Sequence, residues 1–593
     1  MSSPRPLPPR PTPGRAPDPG ATAPDQAPDQ APDQAPGQAP DQTPGEQQDA
    51  RGGGARRTRT WLAAGAAVVL LAGATGVGVV TGLDDDTADR VTGGASEAGP
   101  REGGGDDGDD SGGGAGGGSR GGSDTDLDPV ELPDDAELAV ARSTPRTDSV
   151  YPDKGHPGVD ALHYDIELRW FPDDADDGED PELEGTTTVT FRSTSAAPGF
   201  RLDLAAHLEV TDLVLDGTPT DAFRREGDHL VVDEPVLIES QHRLTVTYRG
   251  PAEPAAAPTD RSDFSGVGLT RSTSQDSEDW LWTMQEPYGA FTWYPVNDQP
   301  ADKALYDVTV RTQPGWTGVA NGELVEQAED DEQSVARFHA PEPMSSYLAT
   351  VAVGDYELTE DVSDSGVPLT YWTPDGDDEA LERLGATKEA LAWLEERLGP
   401  YPFSSLGSVV VDSESAMETQ TMITYGNTGY TLSPEVIVHE IAHHWYGNVV
   451  SPDDWSDVWM NEGMSMYLQI LWEAEDIGED VDDYVGYYAL EDQALRDSYG
   501  PPAAYDGSSF GQSNIYVPPA VMWHELRTTV GDEAFWEMVR AWPTAGGEGV
   551  YRSIGRDQYW PWLSEQLGTD LTPFLTAWLL GTQEPPTTFG PVG

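Results

Sequence analysis

The residues with the most chemical potential in this chain lie in Val438-His439-Glu440-Ile441-Ala442-His443. On a helix His439 and His443 stand four residues apart and share one face, their Cβ atoms about 6 Å apart, so two imidazoles can reach one cation. Ser433 and Pro434 supply an N-cap residue and a first-turn residue for that helix. Two surface histidines on an amphipathic helix would give the same spacing, but the neighbours Val436, Ile437, Val438, Ile441, Ala442 and Trp445 are apolar. Glu462 follows in Trp459-Met460-Asn461-Glu462-Gly463, an acid inside a second apolar helical stretch. A buried lone carboxylate is costly unless it meets a cation. Two histidines and one glutamate leave a fourth coordination position open, the pattern of a catalytic zinc rather than a structural one. Zinc brings the pKa of a water toward about 7. Glu440, beside the pair, can take that proton and pass it to a leaving amine. The implied reaction class is hydrolysis of an amide or ester.

These residues need a scaffold, and the pattern along the chain supplies one. Leu162, Tyr164, Ile166, Leu168 and Trp170 alternate with polar neighbours, as do Thr187, Val189, Phe191 and Leu244, Val246, Tyr248. That period of two marks half-buried strands. Residues 146–357 therefore read as an antiparallel β-rich domain with order beginning near Tyr151. Residues 358–593 read as a helix-rich catalytic domain. Its helices are predicted at 378–398, 434–448, 455–473, 482–498, 518–529, 532–542 and 557–566, with a little sheet near 408–411. The fold class is multidomain α+β.

Upstream, residues 1–60 repeat Ala-Pro-Asp-Gln and cannot bury apolar surface, which predicts a disordered Pro-rich tail. Residues 61–83 are uncharged and mostly apolar; as a helix they reach about 34 Å, enough to cross a bilayer. Arg51, Arg56, Arg57 and Arg59 precede them and Asp84, Asp85 and Asp86 follow. By the positive-inside rule the N-terminus is expected in the cytoplasm and the catalytic domain outside the cell, as a single-pass protein of the cell membrane. A cleaved signal peptide is the alternative. Residues 84–145, rich in Gly and Asp, read as a disordered stalk.

The chain has 593 residues, a formal net charge of −73 and no cysteine. The charge repels phosphates and excludes nucleic acid as a partner. It also suggests tolerance of high salt, where counterions screen self-repulsion. The absence of cysteine rules out a thiol nucleophile and a thiolate metal site.

The stretch from His439 to Gln469, with HExxH, eighteen intervening residues and then Glu462, resembles peptidase family M1, the aminopeptidase N-like zinc peptidases. Pro343-Met344-Ser345-Ser346-Tyr347-Leu348, Leu398-Gly399-Pro400-Tyr401-Pro402-Phe403 and Trp293-Tyr294-Pro295-Val296-Asn297-Asp298-Gln299-Pro300 agree with it, and the resemblance spans roughly residues 150–583. It implies an N-terminal β domain before a thermolysin-like zinc peptidase domain, one zinc ion per chain on His439, His443 and Glu462, and peptides with a free N-terminus as partners. The family's Gly-x-Met-Glu-Asn motif falls at Ser415-Ala416-Met417-Glu418-Thr419. Ala416 and Met417 would line the substrate, and Glu418 would bind its α-amine. A second amine-binding residue falls at Glu286, with Gln285 as the near alternative. Tyr516, before Ala520, His524, Leu526 and Arg527, matches the family's transition-state tyrosine, a donor to the oxyanion. Ser415, Thr419, Pro518 and Pro519 depart from the family pattern and bear on substrate preference. The resemblance has no counterpart of the C-terminal domains of larger members, which implies a more open cleft. The expected function is a zinc metalloaminopeptidase. A zinc endopeptidase without amine recognition and a catalytically silent anchored binding protein are the competing readings.

Overall fold

The computed structural model describes residues 125, 127, 130 and 132–589, apart from 173–179, 260, 262–264, 275–276 and 548. The predicted Pro-rich tail, the apolar segment 61–83 and most of the predicted stalk lie outside the described residues. Among the described residues no helix is long and apolar enough to cross a membrane. On that finding the expected placement, a single-pass protein of the cell membrane with its catalytic domain outside, does not stand.

Order begins earlier than Tyr151. Helix Asp135–Leu138 carries a capping box, in which the Asp134 carboxylate accepts from the Glu137 backbone N–H and the Glu137 carboxylate accepts from the Asp134 N–H. Leu138 and Ala141 are buried, and the Ser143 N–H donates to Asp160 at 2.9 Å. Two apolar side chains and one buried acceptor thus tie residues 132–146 to the β domain, which composition alone did not reveal.

The first domain is built on an eight-stranded sheet. Its order is Glu323–Glu329, Ser334–Ser345, Lys303–Thr312, Val159–Trp170, Glu182–Ser193, Gln241–Pro251, Glu209–Leu215 and Thr218–Pro219. Neighbours are antiparallel except Val159–Trp170 and Lys303–Thr312, which run parallel. A five-stranded sheet including Gly266–Arg271, Leu281–Met284 and Val351–Gly354 covers it, and the alternating apolar residues of both make one core. Strand Leu281–Met284 ends at the site.

The second domain contains a five-stranded sheet, in the order Tyr356–Val362, Pro368–Pro374, Leu406–Val411, Met422–Gly426 and Ala416–Met417. This is more sheet than predicted near 408–411. All six residues of Leu406–Val411 are buried, so the strand lacks the alternation that marks a half-buried one. The short edge strand Ala416–Met417 pairs antiparallel with Met422–Gly426. Helix α2 (Trp459–Ile477) packs against both helix α1 (Pro434–His443) and helix α3 (Val517–Val530) beside this sheet. The predicted helix 434–448 stops at His443 as a regular helix, because Tyr446 (φ −121°) and Gly447 (φ 133°) leave helical geometry. The predicted helices 378–398 and 482–498 are each two shorter helices, broken at Gly385-Ala386 and Leu490-Glu491.

Candidate metal centre and substrate cleft

Helix α1 begins where expected: Ser433 takes the N-cap position with extended backbone and Pro434 sits in the first turn. The Ser433 hydroxyl makes no capping bond, contrary to the sequence reading. The helix is held by burial, since its residues 436–443 are all buried. His439 and His443 project together, ring centroids 4.8 Å apart. Helix α2 delivers Glu462, whose Oε2 lies 3.4 Å from Nε2 of each histidine. The three ligand atoms lie within 4.8 Å of one another, and all three residues are buried.

Helix α3 closes on α2 at a glycine. A Cβ on Gly463 would lie 2.4 Å from the Cβ of Pro519, far inside contact distance. This close approach seats Tyr516, the residue preceding α3, with its ring stacked 6.1 Å from that of His439. Tyr516, Glu440, Glu286, Glu418, Ala416 and Met417 line the same cleft as the three metal-ligand candidates. Gln285 does not. Its amide nitrogen donates to Ser346 O and Ala349 O, both at 2.7 Å, and its Oε1 accepts from Trp293 Nε1. Gln285, just past the end of strand Leu281–Met284, is fully buried, while Met284 and Glu286 on either side of it line the cleft, so Gln285 is corrected to a packing residue.

The donor set fits a divalent cation. The Nδ1 of His443 donates to Tyr446 O at 3.2 Å, leaving Nε2 as the ligand atom. Burial would keep Glu462 protonated, but the imidazoles, His443 foremost, hold its carboxyl at about 2. Burial also works to lower His443, while Glu462 and Glu418 raise it to about 10. Burial dominates at His439 and pulls it down. The pocket thus concentrates charge that a dication with two neutral imidazoles would balance.

The carboxylates opposite are under stress. Burial, reinforced by Glu418 and Glu462, pushes Glu286 well above the ordinary range, and burial raises Glu440 and Glu418 as well. Glu286 Oε1 and Glu418 Oε1 are buried with no hydrogen-bond partner among the described residues. Two such oxygens facing one cleft suit an ammonium group. Burial raises the Tyr516 phenol far above its usual value, so it stays a donor.

His444 and His524 are structural, as the sequence suggested. Burial holds His444 down at about 3, its Nδ1 bonding Tyr401 Oη at 2.8 Å, and His524 bonds Tyr467 and Asp482. Sequence reasoning missed Arg261, Met284 and Phe510, which also line the cleft. Met284, the last residue of strand Leu281–Met284, stands two residues before Glu286. Arg261 and Phe510 carry no local pattern.

Two family models match this chain: the Peptidase M1 N-terminal domain over residues 160–348 and the Peptidase family M1 domain over residues 382–578. Together they span more than half of it, and the chain belongs to peptidase family M1. Among solved structures it is similar to the M1 zinc metallopeptidase from Deinococcus radiodurans, with a TM-score of 0.64 and 24% identity over 75% of this chain and 99% of that one. A mutant of that peptidase bound to a Tyr-Ser-Ala substrate aligns with a TM-score of 0.64 and 25% identity, covering 74% of this chain and 98% of the other. The order of β-rich and helical domains is the two-domain fold these structures share. Among sequence relatives, human glutamyl aminopeptidase is 27% identical over 350 residues, 53% of this chain and 34% of that protein. Human endoplasmic reticulum aminopeptidase 1 is 26% identical over 269 residues, 42% and 28% respectively. The chain spans about a third of the length of these relatives.

Proposed function

We propose that this chain is a zinc-dependent metalloaminopeptidase that removes the N-terminal residue of peptides. The observation that carries the reading is the meeting of two donor sets in one cleft. His439, His443 and Glu462 gather their ligand atoms within 4.8 Å. Glu286 and Glu418 present unpartnered buried oxygens beside them. The first set would hold the metal and the second the α-ammonium of a substrate. That ammonium, fixed at one end of the cleft, would bring the first peptide bond to the metal and no other. The names of the similar proteins, aminopeptidases and zinc metallopeptidases, support the same reading.

Zinc, when bound, supplies a Lewis acid that polarises the scissile carbonyl and acidifies a water. The remaining work belongs to side chains. Glu440 takes a proton from the attacking water and delivers it to the leaving amine nitrogen; its raised pKa suits a group that must both accept and release a proton. Tyr516 donates its hydroxyl hydrogen to the oxygen that gains charge in the transition state. The edge strand Ala416–Met417 offers backbone groups along the cleft for an extended peptide to lie against.

Free and N-acetylated forms of one peptide test the reading. An aminopeptidase cleaves the free form and leaves the blocked form intact. Equal cleavage of both would replace it with an endopeptidase that has the same hydrolytic centre.

A further inference from the structure

Lys303 lies on the β domain's strand Lys303–Thr312, yet its charge is spent on the catalytic domain. It is buried, 1% exposed. Its Nζ donates to Asn448 O and to Ser451 Oγ, both at 2.7 Å. No carboxylate pairs with it among the described residues, and the charged group that faces it is Arg552. Burial pulls its pKa down to about 7, with Arg552 adding to the effect. For stability this is an unfavourable place for an amine, since an apolar side chain of similar length would avoid the desolvation cost.

The acceptors explain the placement. Asn448 closes the turn that ends helix α1, where the chain leaves helical geometry at Tyr446 and Gly447, and Ser451 lies just beyond it in the short strand Val450–Pro452. Ser451 Oγ, besides accepting from Lys303, donates to Gly447 O at 2.6 Å, and Tyr347 Oη, also from the β domain, donates to the same carbonyl at 3.0 Å. Asn461 Nδ2, next to Glu462, donates to Tyr347 Oη at 3.2 Å. A Cβ at Gly447 would come within 3.4 Å of His443 Nδ1 and 3.2 Å of Asn461 Cγ, so the turn presses on both ligand-bearing helices. From this turn Tyr446 O accepts from His443 Nδ1, and Asn448 Nδ2 donates to Glu418 O at 2.9 Å. The turn therefore touches a metal-ligand candidate on one side and an amine-binding candidate on the other.

We infer that Lys303 is a positioning residue: through Asn448 and Ser451 it lets the β domain fix the turn that orients His443 for metal and Glu418 for the substrate amine. The inference rests on the zinc aminopeptidase reading and adds a cross-domain support for it. A ligand imidazole held in one tautomer and direction by such outer contacts binds metal more tightly than a free one.

Lys303→Met in the full chain tests this, because methionine fills the space without donating. Three quantities are read: zinc affinity by competition with a chromophoric chelator, kcat and KM on a fluorogenic aminoacyl substrate, and melting temperature. Zinc affinity and kcat are each expected to fall roughly tenfold or more, while the melting temperature holds or rises. Ser451→Ala, which breaks one of the two links and also the hydrogen bond to Gly447 O, is expected to shift the same quantities in the same direction. Lys388→Met, which removes an exposed pair with Asp361, leaves them unchanged. Unchanged zinc affinity and kcat in Lys303→Met would overturn the inference alone, with the zinc reading intact. Losses that track a lowered melting temperature in both Lys303→Met and Ser451→Ala would assign a purely structural role and also overturn it. A wild-type chain that takes up no zinc would overturn both.

Discussion

Glu440 and Tyr516 are expected to fail in different ways from the ligands. Glu440→Gln keeps all three ligand candidates and removes the proposed base, so zinc content should stay at the wild-type level while kcat falls by at least about a hundredfold. Tyr516→Phe removes the proposed donor to the oxyanion and should lower kcat by about a hundredfold to a thousandfold. Glu418→Gln would act on the substrate amine in the proposed reading, so its loss should appear chiefly in KM for free peptides. Steady-state kinetics beside metal analysis separates the three. His439, Glu440 and His443 were legible because their spacing maps directly onto helix geometry, and Glu462 because it is an acid inside a second apolar helical stretch. Tyr516, Glu418 and Glu286 were legible by family resemblance, since nothing in their immediate neighbours singles them out. Lys303 and Arg261 were not legible, because their significance arises from segments far away in the chain. Choosing between Glu286 and Gln285 needed the burial of each side chain beyond the strand's end, which the sequence left open by one residue.

At the scale of elements, three strands of the large sheet are joined by one acid. Asp307 accepts from His163 Nε2 and His339 Nδ1, each at 2.8 Å, across the strands on either side. Burial works to raise its carboxyl, but the two imidazole hydrogen bonds prevail and hold it at about 2, below the ordinary 3.8. A carboxylate depressed on folding stabilises above its unfolded pKa and loses that contribution as pH falls through the folded value. Asp307→Asn should therefore cost about 2 kcal/mol near neutrality, and the gap should close between about pH 4 and pH 2. Denaturant melts of both proteins across that range check it; a gap independent of pH would contradict it. Strand alternation announced the β domain, because its sheets show one face to solvent or to a polar layer. The second domain's sheet was under-read because Leu406–Val411 is buried on both faces and reads as an apolar run. The helix break was missed at Tyr446-Gly447, where Gly447 takes φ 133° and a β-domain tyrosine, Tyr347, donates to its carbonyl.

The whole molecule carries 106 acidic and 33 basic residues. Such a surface repels itself in the folded state, and the repulsion is screened by salt. The melting temperature should rise with added sodium chloride, and a flat series would contradict this. Against this acidic background the cleft still concentrates four more carboxylates, Glu286, Glu418, Glu440 and Glu462, around two histidines. That density favours cations in the cleft: Arg261 among the lining residues and, on the proposed reading, the metal and the substrate ammonium. The most direct test joins metal content to turnover in one preparation of the protein. Zinc is measured by elemental analysis, with hydrolysis of a free aminoacyl fluorogenic substrate, for the wild type and His439→Ala. The account predicts about one zinc per wild-type chain, activity abolished by a chelator and restored by zinc, and neither zinc nor activity in His439→Ala. A wild-type protein that carries no metal and gains no activity when zinc is supplied would contradict it.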